Sequence, residues 1–326
     1  MTRFCTYFLV MLFAISLLQF PAYAAAKKSK RAKPAARHVL SYAKNSEAMQ
    51  LAQAIAEQEN LDPEWVRTQI KEAKFLPQVV KLMQPGPVGG KKNWAAYRSR
   101  FVTPTHIAAG VAFWQANKDV LLRAEHEYGV PPRIVLGILG VETIYGRNTG
   151  GFRVLDALAT LSFDYPKEHP RREARVTYFR GELAQFLMLT KQMNRDPASY
   201  KGSYAGAMGW PQFMPSSWLK HAVDFDDDGH IDLWQSQADV IGSVANYFKN
   251  YGWKNGLQAT PNMVLESKTV ELENGVDDAT LYPVDDNFFV ITKYNNSYYY
   301  AAAVLELGAA IQQAIGEEIK NGQTKN

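Results

Sequence analysis

Glu142 lies within an apolar segment and is the residue with the clearest potential for acid catalysis. The segment from Pro131 to Tyr145 is apolar on almost every helical face, which is typical of a core helix. Ile138 and Leu139 precede Glu142 by four and three residues and therefore share its face. A carboxyl group there loses solvation as an anion, so its pKa rises and it can act as a general acid. A structural glutamate, paired with an arginine or a helix N-terminus, fits the same pattern.

The segment from Asp224 to Asp232 matches the start of an EF-hand calcium loop. Asp224, Asp226 and Asp228 have the alternate spacing of calcium ligands, and Gly229 permits the sharp turn that the loop needs. We expect a structural Ca²⁺ ion here, because the pattern offers no obvious open coordination position. The alternative is a solvated acidic turn without metal.

The twelfth position of this loop departs from the EF-hand pattern. Gln235 stands where a bidentate glutamate is expected. Asp239, at the start of the next predicted helix, could supply the missing carboxylate from a lengthened loop.

Two further features suit carbohydrate binding. The loop from Tyr204 to Ser217 contains small residues that allow close backbone approach, and Gln212 offers both a donor and an acceptor. The chain also has 17 tyrosines, whose rings with a polar tip suit stacking on sugar faces. Tyrosines outside an obvious core periodicity are Tyr97, Tyr204, Tyr247, Tyr294, Tyr298, Tyr299 and Tyr300.

The N-terminus predicts export. Arg3, the apolar stretch from Phe8 to Leu18 and the Ala22-Tyr23-Ala24 site together resemble a secretory signal cleaved before Ala25. An uncleaved anchor is the alternative. Cys5 is the only cysteine and precedes the apolar stretch, which argues against lipidation and leaves the mature chain without a disulfide.

The excess of positive charge is local. Six basic residues lie between Lys27 and Arg37, and without them and Arg3 the formal charge falls from +4 to −3. The chain therefore has no basic nucleic-acid-binding face. The basic run is interpreted as a solvated linker, with contact to anionic lipids or acidic wall polymers as the alternative.

The remaining pattern is mainly helical. Helices are predicted from Ser46 to Glu59, Asp62 onward, Thr103 to Tyr128, Pro131 to Tyr145, Arg175 to Met193, Ala238 to Tyr251 and Tyr299 to Ile319. The only strand-like region is a small β insertion near 260–293, with strands predicted at Thr269–Leu272 and Phe288–Thr292. The motifs of zinc proteases, serine hydrolases, P-loop proteins and dinucleotide-binding folds are absent from the sequence.

The order and spacing of four motifs resemble the lytic murein transglycosylases of the MltB type, over about Ala48 to Gln313. The motifs are Gly140–Thr143, Ala205–Gly209, Gln212–Ser217 and Asp224–Asp228. The resemblance implies a lysozyme-like helical core with a catalytic glutamate, an EF-hand-like calcium site and a small β region. It also implies cleavage of the β-1,4 bond between N-acetylmuramic acid and N-acetylglucosamine in peptidoglycan, with 1,6-anhydromuramyl products. We expect a monomeric, periplasmic enzyme.

The resemblance assigns roles by position, with Glu142 as the catalytic acid and base. The implied sugar-site residues are Tyr97, Ser203, Gln212, Phe213, Tyr247, Tyr294, Asn295, Tyr300 and Arg175. The implied calcium ligands are Asp224, Asp226, Asp228, His230 through its carbonyl, and Asp239. The chain has one more residue between Trp234 and Asp239 than the family pattern. The family also has an arginine pair just before the helix of Tyr178 and Phe179, and Arg171, Arg172 and Arg175 are all candidates for it.

The predicted division of the chain is a signal peptide at 1–24, a basic linker at 25–45, a helical N-terminal part at 46–102, a catalytic core at 103–259 with its calcium loop at 224–239, a β region at 260–293 and a C-terminal helix at 294–326.

Two other functions stay open at this point. A lysozyme-type muramidase needs a second carboxylate facing Glu142, for which Asp156 and Asp164 are candidates. A non-catalytic peptidoglycan-binding protein needs none.

Overall fold

The computed structural model is built mainly from helices, as the sequence predicts, and its described residues form two small two-stranded sheets, one of which lies outside the predicted β region. It describes residues 41–85, 92–256, 268–275 and 278–323. The predicted signal segment, with Cys5, and the basic run from Lys27 to Arg37 lie outside these residues. None of the described helices is both long enough and apolar enough to cross a bilayer.

The described helices are numbered in chain order. They are α1 Ser46–Gln58, α2 Pro63–Glu72, α3 Pro77–Leu82, α4 Trp94–Arg98, α5 Pro104–Tyr128, α6 Pro132–Thr143, α7 Val154–Phe163, α8 Arg172–Gln192, α9 Pro215–His221, α10 Gln237–Asn250, α11 Asp286–Tyr294 and α12 Tyr298–Gln323. The described strands are β1 Phe152–Arg153, β2 Lys201–Gly202, β3 Lys268–Glu273 and β4 Ala279–Val284.

Local sequence signals explain where several helices begin and end. Asp62 caps α2 by accepting a hydrogen bond from the backbone N–H of Trp65 at 2.7 Å. Thr103 caps α5 in the same way through His106. Gly129 ends α5 in a left-handed conformation with φ of 72°, which glycine adopts without steric cost.

The β region differs from its prediction. The second strand is β4, which pairs antiparallel with β3 so that Val270 lies opposite Tyr282. The predicted strand at Phe288–Thr292 is wrong, because these residues belong to helix α11.

The side chain of Asp285 explains the difference. It accepts a hydrogen bond from the backbone N–H of Phe288 at 3.0 Å and so caps a helix start. The fully buried Phe288 and Ile291 are three residues apart and share one helical face. A short apolar run has no periodicity that distinguishes a strand from a helix, so the capping side chain of Asp285 is what indicates a helix here.

The crossing of α6 and α12 brings two backbones into close contact in the core. A Cβ atom on Gly137 would lie 2.3 Å from the carbonyl oxygen of Val304, and one on Gly308 would lie 2.2 Å from that of Arg133. Glycine at both positions lets the two helices meet backbone to backbone. This contact sets the first turns of α12, and therefore Tyr300, beside the end of α6.

The β3–β4 hairpin holds the short helix α4. The side chain of Asn274 accepts a hydrogen bond from the backbone N–H of Ala95 at 3.2 Å. The N–H of Gly275 donates to the carbonyl of Lys92 at 2.9 Å. The hairpin thereby fixes α4, which carries Tyr97.

Candidate active site

Glu142 lies in the last turn of α6, where the helix meets the loop from Tyr204 to Met214; Pro215 to Ser217, predicted as part of this loop, begin helix α9 instead. The neighbouring Thr143 is buried, and its hydroxyl donates to the carbonyl of Trp210 at 2.9 Å. The same hydroxyl accepts the N–H of Gly146 at 3.0 Å. The bond to Trp210 ties the end of α6 that carries Glu142 to the loop.

The surroundings of Glu142 favour its protonated form. Burial raises its pKa to about 7, although part of its surface remains accessible. The hydroxyl of Tyr300 donates to Oε1 of Glu142 at 2.5 Å and opposes the shift by stabilising the anion. Glu142 can therefore both give and take a proton near neutral pH.

Three more tyrosines lie close enough to Glu142 for its charge to raise their pKa values. Burial, and then the Glu142 charge, raise the pKa values of Tyr97, Tyr294 and Tyr300. Glu142 also contributes to the raised pKa of Tyr247, after burial and Tyr251. These phenols stay protonated at neutral pH. The structure thus brings four of the predicted sugar-site residues around the carboxyl group.

Tyr247 and Tyr294 use their hydroxyl groups to hold the backbone. Tyr247 donates to the carbonyl of Lys293 at 2.7 Å, and Tyr294 donates to that of Pro211 at 2.6 Å. Their ring centroids lie 4.7 Å apart. The ring of Phe213 lies 5.6 Å from that of Tyr247 but is only 2% exposed. Phe213 therefore supports these rings within the core.

Gln212 and Ser203 shape the adjacent loop. Gln212 has a φ of 52°, and its side-chain N–H groups donate to the carbonyls of Gly209 and Thr149 at 2.9 and 3.1 Å. The Ser203 hydroxyl accepts the N–H of Ala207 at 3.0 Å. Both side chains brace the loop and remain partly exposed.

Helix α8 begins at Arg172, three residues before its predicted start at Arg175. Arg175 is 6% exposed, and its charge acts on Tyr165 and His169. Arg171 is exposed, whereas Arg172 donates to the carbonyl of Tyr165. Of the three arginines, Arg175 is thus the one that points into the protein.

Asn295 is buried in the short connection between α11 and α12, directly after Tyr294. Its carbonyl accepts the N–H of Ser297 at 2.7 Å. The residue is therefore positioned by the same turn that sets the start of α12.

The two candidate second carboxylates have partners elsewhere. Asp156 accepts the N–H of Lys74 at 2.9 Å and lies 3.2 Å from Arg153. Asp164 accepts the hydroxyl of Tyr42 at 2.6 Å. Among the described residues, the pKa of Glu142 responds to burial and Tyr300 and to no carboxylate.

The acidic loop forms a compact group of carboxylates. One oxygen each from Asp224, Asp226 and Asp239 lies within 4.8 Å of the others. Asp228 and His230 stand outside this trio and are exposed, with the N–H of His230 donating to Asp228 at 2.8 Å. The hard oxygen donors of the trio suit Ca²⁺.

Asp239 lies with Asp224 and Asp226 although the loop before it is one residue longer than the family pattern. It is 1% exposed, and its two oxygens accept the N–H groups of Phe225 and Asp232, both at 2.7 Å. Asp239 thus links the two ends of the loop to α10. A cation here would offset the mutual repulsion of three carboxylates.

Sequence reasoning missed Glu182, another buried carboxyl group, on α8. The available signal is a polar stripe, because Arg175, Tyr178 and Glu182 recur at helical spacing next to the buried apolar residues of this helix.

Comparisons with known proteins fit this geometry. Residues 43–282 match the family described as the Transglycosylase SLT domain. The chain is 39% identical over 314 residues to the membrane-bound lytic murein transglycosylase B of Escherichia coli strain K12, covering 84% of each chain. The structure of the Escherichia coli lytic transglycosylase SLT35 in complex with bulgecin A is similar, with a TM-score of 0.76 and 38% identity over 86% of this chain and 98% of that one. The structure of SLT35 with calcium gives a TM-score of 0.74 with the same identity and coverage.

Proposed function

The chain belongs to the transglycosylase SLT-domain family, and we propose that it cleaves the β-1,4 bond between N-acetylmuramic acid and N-acetylglucosamine in peptidoglycan. It is a lytic transglycosylase with a lysozyme-like core. The observation that carries the proposed chemistry is the half-buried Glu142, whose pKa is about 7.

Glu142 supplies the proton for bond cleavage. In its protonated form it donates to the glycosidic oxygen, so the bond to the muramyl C1 breaks and the N-acetylglucosamine hydroxyl leaves. A positioned acid contributes about 10²–10⁴-fold to such a step. The Tyr300 hydroxyl then stabilises the carboxylate that remains.

The anionic Glu142 next acts as a base. It takes the proton of the muramyl C6 hydroxyl, whose oxygen bonds to C1 and closes the 1,6-anhydro ring. The proton lost in the first step is recovered in the second, and no water is consumed. Because no described carboxylate acts on Glu142, we assign stabilisation of the positive charge at C1 to the N-acetyl group of the substrate.

The masses of the soluble products test this function. We expect purified sacculi incubated with the protein to release muropeptides that are one water lighter than hydrolytic products. Reducing-end products of full hydrolytic mass would instead make the protein a muramidase.

Replacing Tyr300 with Phe should move the pH dependence of the reaction. Tyr300 lowers the pKa of Glu142, so its removal raises that pKa above about 7. The acid form then persists to higher pH, and the alkaline limb of the kcat/KM profile moves upward. The measurement is the pH profile on soluble glycan strands.

Tyr145→Phe is the matched control for this change. The Tyr145 hydroxyl is also buried but donates to the carbonyl of Leu136 at 2.9 Å, away from Glu142. Its alkaline limb should stay in place. An unchanged or lowered limb in Tyr300→Phe would contradict the assigned hydrogen bond.

We also propose that Asp224, Asp226 and Asp239 hold a structural Ca²⁺ ion, with Asp228 and His230 as additional ligands once the ion is bound. The ion would join the loop to α10 and would take no part in the reaction. The carboxylate trio supports this proposal.

Chelation by EDTA should therefore lower the melting temperature. An ion that binds only the folded state stabilises it by mass action, and its removal withdraws that stability. Calcium should restore the melting temperature. The Asp224→Asn, Asp226→Asn double variant serves as the control and should not respond to EDTA. An identical melt of the parent with and without EDTA, in metal-stripped buffer, would count against the site.

We propose export to the periplasm, supported by the signal-like pattern that ends at Ala24. N-terminal sequencing of the mature protein should start at Ala25. A retained Met1 would favour the anchor instead.

A further inference from the structure

The polar stripe on α8 contains a buried carboxyl group that the proposed reaction does not use. Glu182 is 4% exposed and lies one turn beyond Tyr178. A buried carboxylate is costly unless hydrogen bonds replace the lost water, so its partners identify its role.

Three donors converge on Glu182. The Ser216 hydroxyl donates to Oε1 at 2.6 Å, and the Ser216 N–H donates to Oε2 at 3.0 Å. Burial raises the pKa of Glu182, and Ser216 and the nearby Tyr178 hydroxyl oppose that shift by stabilising the anion. An ionised carboxylate accepts about four hydrogen bonds and donates none, so it suits three donors.

Ser216 connects Glu182 to the aromatic residues near Glu142. Ser216 follows Phe213 by three residues, and the Phe213 ring packs against Tyr247. Tyr178 interacts electrostatically with Tyr247, which in turn senses Glu142. Glu182 therefore lies behind the sugar-binding wall, which we define as the rings of Phe213, Tyr247 and Tyr294, and connects to it through Ser216.

We propose that Glu182 is a positioning residue that fixes Tyr178 and the segment from Gln212 to Ser216 relative to each other, and thereby holds the sugar-binding wall in its productive shape. This inference rests on the proposed function, because it concerns binding of the same glycan. Stability alone does not explain the carboxylate, since buried ionic groups are often replaceable by apolar ones without loss.

The contacts also define what Glu182 does not do. It is absent from the groups that shift the pKa of Glu142. Its removal should therefore weaken glycan binding and leave the pH dependence of the acid unchanged. A purely structural role would lower the melting temperature without altering the KM of the folded enzyme.

Glu182→Gln is the principal test. Glutamine has one acceptor oxygen and two N–H donors, so it cannot accept all three hydrogen bonds. We expect the KM for soluble, uncrosslinked glycan strands to rise about tenfold, which corresponds to about 1.4 kcal/mol. We expect kcat to change by less than about threefold, because the lost contacts act on bound substrate and transition state alike. The alkaline limb of the pH profile should coincide with that of the parent.

Two smaller variants keep the test decisive if Glu182→Gln does not fold. Tyr178→Phe and Ser216→Ala each remove one of the hydrogen bonds to the carboxylate, and each should raise KM. Tyr42→Phe is the matched control, because it removes another buried tyrosine hydroxyl that donates to a carboxylate, that of Asp164. Its KM should equal that of the parent.

The double variant Glu182→Gln, Tyr178→Phe tests whether the two side chains affect KM through the same interaction. Its KM should be no higher than that of Glu182→Gln alone, because the carboxylate and the phenol act as one unit. Full additivity would overturn the proposal, as would a parental KM in both Tyr178→Phe and Ser216→Ala. A loss of kcat as deep as in Glu142→Gln, with a shifted pH profile, would make Glu182 catalytic and would also overturn it.

The parent and Glu142→Gln separate this inference from the proposed function. If the parent forms no anhydro products, the proposed function fails. If the parent is active and Glu142→Gln is inactive while Glu182→Gln binds glycan normally, only the positioning role fails.

Discussion

Replacing Glu142 with Gln should lower the release of soluble muropeptides from purified sacculi by about 10²–10⁴-fold. Glutamine keeps the shape of the side chain but has no proton to give at neutral pH. The loss affects both halves of the reaction, since the same group acts first as acid and then as base. Initial rates at equal protein concentration measure the effect.

Carboxyl-to-amide changes elsewhere are the controls for this result. Asp156→Asn and Asp164→Asn should retain activity, because their partners are Lys74, Arg153 and Tyr42. A comparable loss in either control would favour the muramidase mechanism. Near-parental activity of Glu142→Gln would show that Glu142 is not the catalytic acid.

The stability of Glu142→Gln should also depend less on pH. The pKa of Glu142 rises from 4.5 to about 7 in the folded protein, so the folded state binds more protons than the unfolded state between these values. The parent should lose on the order of 3 kcal/mol of unfolding free energy as pH rises through this window. Glutamine does not ionise, so the variant should lack this loss and be the more stable protein at pH 8. Denaturant unfolding at both ends of the window measures it.

Gly137→Ala should lower the free energy of unfolding by about 3 kcal/mol, the upper end of the usual cost of overpacking. The added Cβ would lie 2.3 Å from the carbonyl oxygen of Val304, and backbone atoms cannot turn aside as a side chain can. Helix α12 would have to move away from α6 and carry Tyr300 with it. Activity should therefore fall in the fraction that still folds. Denaturant unfolding and the rate on sacculi check both effects.

Gly316→Ala is the control for the helix crossing. An added Cβ on Gly316, also on α12, would meet no atom within 4 Å. Alanine has the higher helix propensity, so this change should raise stability by up to about 1 kcal/mol. Equal stabilities of Gly137→Ala and the parent would contradict the close backbone contact.

Sequence signals predicted much of the helical fold because residues next to the helix ends determine where the helices begin and stop. Asp62, Thr103 and Gly129 each mark a boundary through a hydrogen bond or a backbone angle that the residue type favours. The error at Phe288–Thr292 has the same origin. Its five residues are too few to show a period, and the decisive cap, Asp285, lies outside the run.

The raised pKa of the Glu142 carboxyl group was also predictable from its neighbours in sequence. Ile138 and Leu139 are fully buried, and burial is the dominant cause of the raised pKa of Glu142. The hydrogen bond from Tyr300 joins residues 158 positions apart. No local pattern encodes such a contact, and the sequence indicated Tyr300 only as a tyrosine outside core periodicity and through the resemblance.

Other details of the site depend on packing. The hydroxyls of Tyr247 and Tyr294 bond to carbonyl groups on distant segments, which leaves the two rings to form the wall. Asp239 meets Asp224 and Asp226 because the loop folds back onto α10, an outcome that its spacing left open. Glu182 lies on α8 with a partner 34 residues away.

The central claim is that the muramyl C6 hydroxyl, and not water, replaces the leaving sugar. Digestion of sacculi in water enriched in heavy oxygen tests it most directly, with mass spectrometry of the newly formed muramyl ends. If the protein is a lytic transglycosylase, the anhydro ends should have natural isotopic mass, because no solvent oxygen enters the product. Reducing ends that carry one heavy oxygen would contradict the account and establish hydrolysis.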